Sequence, residues 1–183
     1  MQAPTHAIRP ARPDDVPALY LLKWQLAFAE EAAFTVRASE ADWQRDMFGP
    51  HPRFSAVVAE ADGLVIGMAT VTERFAPGWV GPLLTVNDLF VVPQYRRRGI
   101  GRTLLAHVAA QAVDRGAAFV ELTVRERNPA CRLYRRTGFE RVRGALFLVL
   151  AGNAFPALAA SARSDGDPAF APPQAMSRTQ RRA

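Results

Sequence analysis

A chain of 183 residues has the size of one ordinary domain, since single domains run to roughly 100–200 residues. Hydrophobic residues make up 49% and charged residues 22%, a balance that excludes a wholly disordered, collagen-like or coiled-coil chain. Lys and Arg number 23 against 17 Asp and Glu, a net charge of +6, and Lys23 is the only lysine, so the cationic excess resides in guanidinium groups suited to phosphate. That excess favours an anionic partner and does not by itself separate nucleic acid from a small polyphosphate. The longest apolar runs, such as LFLVLAG, fall far short of the roughly 18 to 20 residues that span a bilayer, so no membrane protein is expected. The opening MQAPTHAIRP lacks a basic segment followed by an apolar one, which places the chain in the cytoplasm as an expectation. A single cysteine, Cys131, excludes an internal disulfide and a zinc site of paired cysteines, and no two histidines have ligand spacing, so no metal is expected.

In chain order, AIRPAR reads as a strand, and Asp14 and Asp15 are N-cap residues for the apolar-rich helix VPALYLLKWQLAFAEE. SEAD, from Ser39, has the form of a capping box and opens a second helix that GPHP ends. FSAVVAE and LVIGMATVTE, joined by ADG, predict an antiparallel hairpin rich in Val, Ile and Thr. A loop, FAPGWVGP, leads to the strand TVNDLFVV, closed by Pro93. Ile100, Leu104, Leu105, Val108 and Ala112 then fall at helical spacing, with Gly116 as the stop. AAFVELTVRE predicts a strand, PACRLYRRT a short helix with Pro129 in its first turn and Gly138 as its stop, and FERVRG with ALFLVLAG a closing pair of strands. The order β-α-α-β-β-β-α-β-α-β-β is an α/β arrangement of helices on a mixed sheet. Residues 1–152 are expected to form the domain, and 153–183, rich in Ala, Pro and Arg without periodicity, a disordered tail.

The chemistry concentrates at Arg96, Arg97, Arg98, Gly99, Ile100, Gly101 and Arg102, between a strand end and a helix start. A helix first turn offers unpaired N–H groups and the positive dipole end, and glycines let a pyrophosphate approach them. A P-loop would place four residues between its glycines and a Lys-Ser/Thr pair after them, and this stretch has neither. A dinucleotide turn would need glycine at Leu104, although Glu121 lies near where a ribose-binding acid would fall.

Arg96, Gly99 and Gly101 match the R/Q-x-x-G-x-G/A signature of the Gcn5-related N-acetyltransferase (GNAT) family, and NPACRLYRRTGF, from Asn128 to Phe139, resembles that family's second element. FGPHPRFSAVVAEADGLVIGMATV, the tryptophan loop and VNDLFVVPQYRRRGIG further resemble its diamine or thialysine acetyltransferase branch. The resemblance covers about residues 7 to 151. It implies an α/β (α+β) fold: a mixed, mostly antiparallel central sheet of about seven strands flanked by about four helices. That sheet would splay between the fourth and fifth strands, Val86 to Val92 and Phe119 to Arg125, with acetyl-CoA in the gap. It also implies that Leu89, Phe90 and Val91 pair with the pantetheine arm through their backbone. Arg97 to Arg102 would hold the pyrophosphate, with Arg96 in the same signature, and Asn128 would bond the cofactor. Tyr134 would lie near the sulfur as the general acid, since a phenol of reference pKa about 10 is protonated at neutral pH.

Where that branch commonly has Glu-Asp, this chain has Asn87-Asp88, and asparagine cannot act as a base. Alternation along a strand would put Asp88 on the face opposite Asn87. The base is therefore sought among Asp88, Glu73, Glu121 and Glu126, acting through water, with Asp88 the catalytic candidate. Trp79 and Phe75 suit either a substrate wall or a homodimer contact. Cys131 reads as a small buried hydrophobe, His107 as a surface or boundary residue and His51 as a loop residue. The implied function is acetyl-CoA-dependent transfer of an acetyl group to a primary amine, a small-molecule acceptor being favoured over a protein amino group. A non-catalytic acyl-CoA-binding module is the reading from another class, and a nucleic-acid binder ranks last because no recognition motif accompanies the charge.

Overall fold

The computed structural model describes residues 6–144 together with 150, 153, 154 and 156. Its described strands are β1 (Ala7–Pro10), β2 (Ser55–Ala61), β3 (Leu64–Arg74), β4 (Leu83–Val91) and β5 (Phe119–Leu122), and its helices are α1 (Val16–Ala29), α2 (Glu40–Phe48), α3 (Ile100–Asp114) and α4 (Cys131–Arg136). The strands lie in the order β1-β2-β3-β4-β5 in one sheet, antiparallel except for the parallel pair β4–β5.

The hairpin between β2 and β3 forms as its sequence predicts. Asp62 and Gly63 both take positive φ, 50° and 75°, the two-residue turn whose twist matches the flanking strands. Two irregularities interrupt the regular ladder of the sheet. Between Ala59↔Gly67 and Glu60↔Val65 the β3 strand carries an extra residue, Ile66. Between Thr70↔Asp88 and Val71↔Val86 the β4 strand carries an extra residue, Asn87. A bulge of this kind reverses the inside-outside alternation beyond it. Accordingly Leu84 and Val86 share a core with Leu89 and Val91, although the two pairs differ in parity.

That core lies between the sheet and α3, whose Ile100, Leu104, Leu105, Val108 and Ala112 are all buried as their spacing requires. A second core lies on the other face, where Val16, Leu19 and Leu22 of α1 and Trp43 and Met47 of α2 pack on Ala56, Val58, Met68 and Phe90. Gly116, at φ 63°, ends α3: its N–H donates to Val113 O (3.0 Å), and Ala117 N–H donates to Ala112 O (2.8 Å). The capping box at α2 is also present, with Asp42 N–H donating to Ser39 Oγ (3.2 Å) and Ser39 N–H to Asp42 Oδ2 (2.9 Å).

Several expectations change. Five strands are described rather than about seven. FERVRG is irregular over 139–144, where Val142 is the one large apolar residue after Phe139 and is exposed, so no alternating face exists to bury. ALFLVLAG and the tail lie outside the described residues, apart from the isolated positions named above. The strand expected over Phe119 to Arg125 stops at Leu122, where its partner leaves it. The contact pattern divides the chain after Glu140, and residues 141–144 of the second unit form neither helix nor strand.

Asp15 does not cap α1 with its side chain. It is buried and accepts from Arg9 Nη1 (2.6 Å), Arg9 Nη2 (2.9 Å) and the Arg12 N–H (2.6 Å), while Arg9 also donates to Glu60 (2.8 Å from Nε). These contacts pin β1 to the start of α1 and to β2. The Arg9 hydrogen bonds, assisted by the Arg12 N–H and opposed by burial, hold the Asp15 carboxyl below its ordinary value. A depressed carboxylate adds stability above its unfolded pKa, about 3.9, and that stability is lost as pH falls through the folded value. Asp15→Asn is thus expected to lower unfolding free energy by about 2 kcal/mol at pH 7. In urea titrations at falling pH the gap to the native chain should close below about pH 4; a gap that persists there would make the loss one of packing.

Candidate active site

Strand β4 is paired with β3 along its length but with β5 only from Leu83↔Phe119 to Val86↔Leu122. Beyond Val86 no described strand pairs with its β5-facing edge, so the backbone groups of Leu89 and the N–H of Val91 are left there for an extended ligand, while Phe90 turns its backbone toward β3. This is the parting expected between the fourth and fifth strands.

The chain then turns through a short 3-10 segment, Pro93–Tyr95, into the arginine-glycine loop. Arg97 (φ 64°) and Gly99 (φ 83°) both adopt the left-handed conformation, and Gly99 is the N-cap of α3. No side chain caps that end, and the first backbone bond of the turn is Thr103 N–H to Gly99 O (3.1 Å). The N–H groups of Ile100, Gly101 and Arg102 are therefore left to an outside acceptor. A Cβ on Gly99 would meet nothing within 4 Å, so the glycine serves its positive φ and leaves space above the helix end. Gly101 is close-packed, its notional Cβ lying 3.1 Å from Leu133 of α4. Backbone donors, open space and an unpaired strand edge fit a pantetheine pyrophosphate.

The three arginines of the run differ in use. Arg96 donates from Nε to Val91 O (2.8 Å) and lies over the Phe90 ring at 5.2 Å, so it braces the loop against β4. Arg98 stacks on Tyr95 at 5.3 Å. Arg97 and Arg102 are exposed and form no ion pair among the described residues.

Tyr134 lies on α4 among the residues packed against the α3 core, with its ring 5.8 Å from Phe139. Burial, then the charges of Glu30 and Cys131, push its hydroxyl up to about 12. It stays protonated throughout the neutral range. Asn128 Oδ1 accepts from the Ala130 N–H (2.8 Å), shaping the turn into α4, and its Nδ2 donates to Glu30 Oε1 (3.2 Å) at the end of α1.

The bulge overturns the expected separation of Asn87 and Asp88. Asp88 meets Thr70 and Asn87 meets Thr72, alternate residues of β3, so both β4 side chains lie on the face away from α3. Asp88, side chain 12% exposed, is fully engaged: Lys23 Nζ lies 2.5 Å from Oδ1, and the buried Thr70 donates to Oδ2 (2.8 Å). Farther along the same face, Glu121 Oε1 accepts from Arg74 Nε (3.1 Å), Arg74 Nη2 (2.8 Å) and Thr85 Oγ1 (3.0 Å). Asn87 Nδ2 donates to Thr72 Oγ1 (3.1 Å) beside them. Glu73 falls on the opposite face, 3.5 Å from Arg115 after α3, and is not part of this cluster. Glu126 lies past β5 in the exposed loop. Trp79 packs edge-on against Phe119 (5.1 Å) near the same end of the sheet, while Phe75 is largely exposed. Cys131 is half-buried, its Sγ near Arg125 O (3.5 Å), and His51 and His107 are exposed.

Two features are not evident from local pattern although the sequence carries a signal for each. Lys23 stands four residues from Leu19 and from Ala27, inside the apolar stripe of α1. A lone lysine there calls for an interior partner. The change of parity from Leu84 and Val86 to Leu89 and Val91 marks the bulge.

A sheet that parts beside an uncapped, arginine-flanked helix start suits an extended, phosphate-bearing cofactor such as an acyl-CoA. The sequence profile of the Acetyltransferase (GNAT) family matches residues 17–139, and the chain belongs to that family. It is 33% identical to the thialysine N-epsilon-acetyltransferase of Mus musculus over 140 residues, 72% of this chain and 82% of that protein. Among solved structures, an integron cassette protein of V. cholerae superposes with a TM-score of 0.68 at 23% identity, covering 84% of this chain and 97% of the other. An aminoglycoside N-acetyltransferase in complex with CoA superposes with a TM-score of 0.65 at 21% identity, covering 81% and 96%. The protein is an acetyl-CoA-dependent N-acetyltransferase, with acetyl-CoA as co-substrate. Among the described residues, no helix is long and apolar enough to cross a membrane.

Acetyl-CoA at about 100 times its Kd should stabilise the protein by roughly 2.7 kcal/mol. Gly99→Glu is expected to abolish that thermal shift, since it forces a side chain into the left-handed conformation and sets a carboxylate where the phosphates approach. Circular dichroism should show the fold retained. An undiminished shift would place the pyrophosphate elsewhere.

Proposed function

We propose that the enzyme acetylates the primary amine of a small molecule bound on the face of the sheet opposite α3, beside the parting of β4 and β5. The observation that carries this reading is the cluster Thr72, Arg74, Thr85, Asn87 and Glu121. These polar side chains, none of them buried, form one hydrogen-bonded patch on the face opposite α3 and at the end of the sheet where the strands separate. The mouse relative at 33% identity is named for acetylating a small amine, thialysine, which supports the same class of acceptor.

Acetyl-CoA supplies a thioester that a neutral amine attacks directly, with release of CoA. The loop from Arg97 to Arg102 binds the pyrophosphate through N–H groups and guanidinium charge, with Arg96 fixing the loop to Val91 O. The backbone of Leu89 and the N–H of Val91 orient the pantetheine arm, with Phe90 between them anchored to β3, and Asn128 stands at the mouth of the cleft. Tyr134 donates a proton to the departing sulfur. Its raised pKa suits an acid that must arrive protonated.

An alkyl amine, with a pKa of about 10.4, must lose a proton before it attacks. Glu121 takes that proton through water. Its Oε1 is held by Arg74 and Thr85, and Oε2 accepts no bond among the described residues. Asp88, whose two oxygens are engaged by Lys23 and Thr70, acts as a fixed structural charge beside the amine rather than as its base.

Tyr134→Phe is expected to lower kcat by about 10²–10³-fold while leaving the Kd for acetyl-CoA unchanged, as followed by thiol release and calorimetry. An unchanged kcat removes Tyr134 from the chemistry. With Tyr134 pushed up to about 12, the rate should rise with pH as the amine deprotonates and show no alkaline fall below about pH 11. Glu121→Gln should cut kcat by about 10- to 100-fold at neutral pH, a loss that shrinks at alkaline pH where the amine arrives already neutral.

A further inference from the structure

Asp88 presents a problem of charge. Its side chain is 12% exposed, and a carboxylate so placed needs a compensating cation. Thr70 supplies a neutral hydrogen bond at 2.8 Å, and Lys23 supplies the charge at 2.5 Å. Lys23 stands in the apolar stripe of α1, four residues from Leu19 and from Ala27, and its half-buried side chain brings the ammonium to Asp88 from the helix that packs on this face. The bulge at Asn87 turns Asp88 onto the face that carries the amine patch.

The charges on that face are balanced. Lys23 meets Asp88 and Arg74 meets Glu121, while the groups around them, Thr70, Thr72, Thr85 and Asn87, are neutral. Glu30 and Glu31, at the C-terminal end of α1, line a cavity of about 230 Å³ with Arg125, Arg127 and Asn128, and Glu30 is held there by Asn128 Nδ2 (3.2 Å). Among the described residues of the floor itself, Asp88 and Glu121 are the carboxylates, and each already meets a cation.

We infer that Lys23 is a specificity-determining residue: its ammonium occupies the Asp88 carboxylate from within and so selects monoamine acceptors against α,ω-diamines. The inference rests on the acceptor face proposed above. A diamine placed there would bring a second ammonium to a carboxylate already neutralised, and would lose hydration without gaining a partner. Removal of the Lys23 ammonium leaves a shielded, uncompensated carboxylate beside a cavity the size of an alkylammonium group. An external ammonium would then take its place.

The test compares n-butylamine with 1,4-diaminobutane on the full chain, by kcat/KM and by calorimetric Kd with CoA bound. The wild type is expected to favour the monoamine, and Lys23→Ala to raise the ratio of diamine to monoamine kcat/KM by about tenfold or more, with tighter diamine binding. Lys23→Arg, which keeps the charge, should retain the wild-type preference. Asp88→Asn tests the same pair with the opposite sign, because an unpaired Lys23 should draw 4-aminobutanoate in preference to butylamine. It also serves if Lys23→Ala does not fold. Unchanged selectivity in a folded Lys23→Ala, or in Asp88→Asn when Lys23→Ala does not fold, overturns the inference. Failure of the wild type to acetylate any amine would strike the proposed function instead, and the calorimetric diamine comparison would still decide the role of Lys23.

Discussion

The parting of β4 from β5 is the constraint on which the rest of this structure depends. A strand inside a sheet satisfies its backbone groups on both edges, and β4 does so only as far as Val86. From Asn87 onward one edge has no strand partner among the described residues. An open edge is tolerable because Leu89 and Val91 remain packed against the α3 core while the β3 ladder continues on the other side. The cofactor arm can therefore be held by main-chain groups, whose directions are fixed by the sheet rather than by flexible side chains.

The bulge at Asn87 belongs to the same constraint. By adding one residue to β4 it reverses which side chains face α3, and so keeps Leu89 and Val91 in the core after Leu84 and Val86. It also brings Asn87 and Asp88 onto one face, where regular alternation would have parted them. A carboxylate turned toward that face needs a cation, and Lys23 meets the need from α1. The polar floor and the Lys23–Asp88 ion pair thus follow from one irregularity in one strand.

Arginine is distributed according to geometry rather than to charge. In the run at 96–98, where all three are exposed, Arg96 braces the backbone of β4, Arg98 stacks on Tyr95, and Arg97 forms no ion pair among the described residues. Elsewhere Arg9 ties the first strand to Asp15 and Glu60, and Arg74 fixes Glu121. A planar fork with several donors can bridge two partners in this way, which a lysine ammonium does less well. The single lysine is kept where a compact point charge at the end of an apolar stem is required.

The sequence by itself determined the local pieces: the Asp62-Gly63 turn, the capping box at Ser39, the buried stripe of α3, the glycine stops at Gly116 and Gly138, and the glycine loop at a helix start. Each of these depends on residues within a few positions of one another, where backbone propensity and periodicity act directly. Tertiary structure decided what depends on a neighbour. The strand after Ala118 ends at Leu122 where its pairing with β4 ends, not because its own residues change character. Asp15 and Asp88 were assigned by local pattern to capping and to proton transfer, yet each is taken by a distant cation, Arg9 and Lys23 respectively. The energy of a shielded charge is set by what is brought within a few ångströms of it in space, and spacing along the chain does not contain that information.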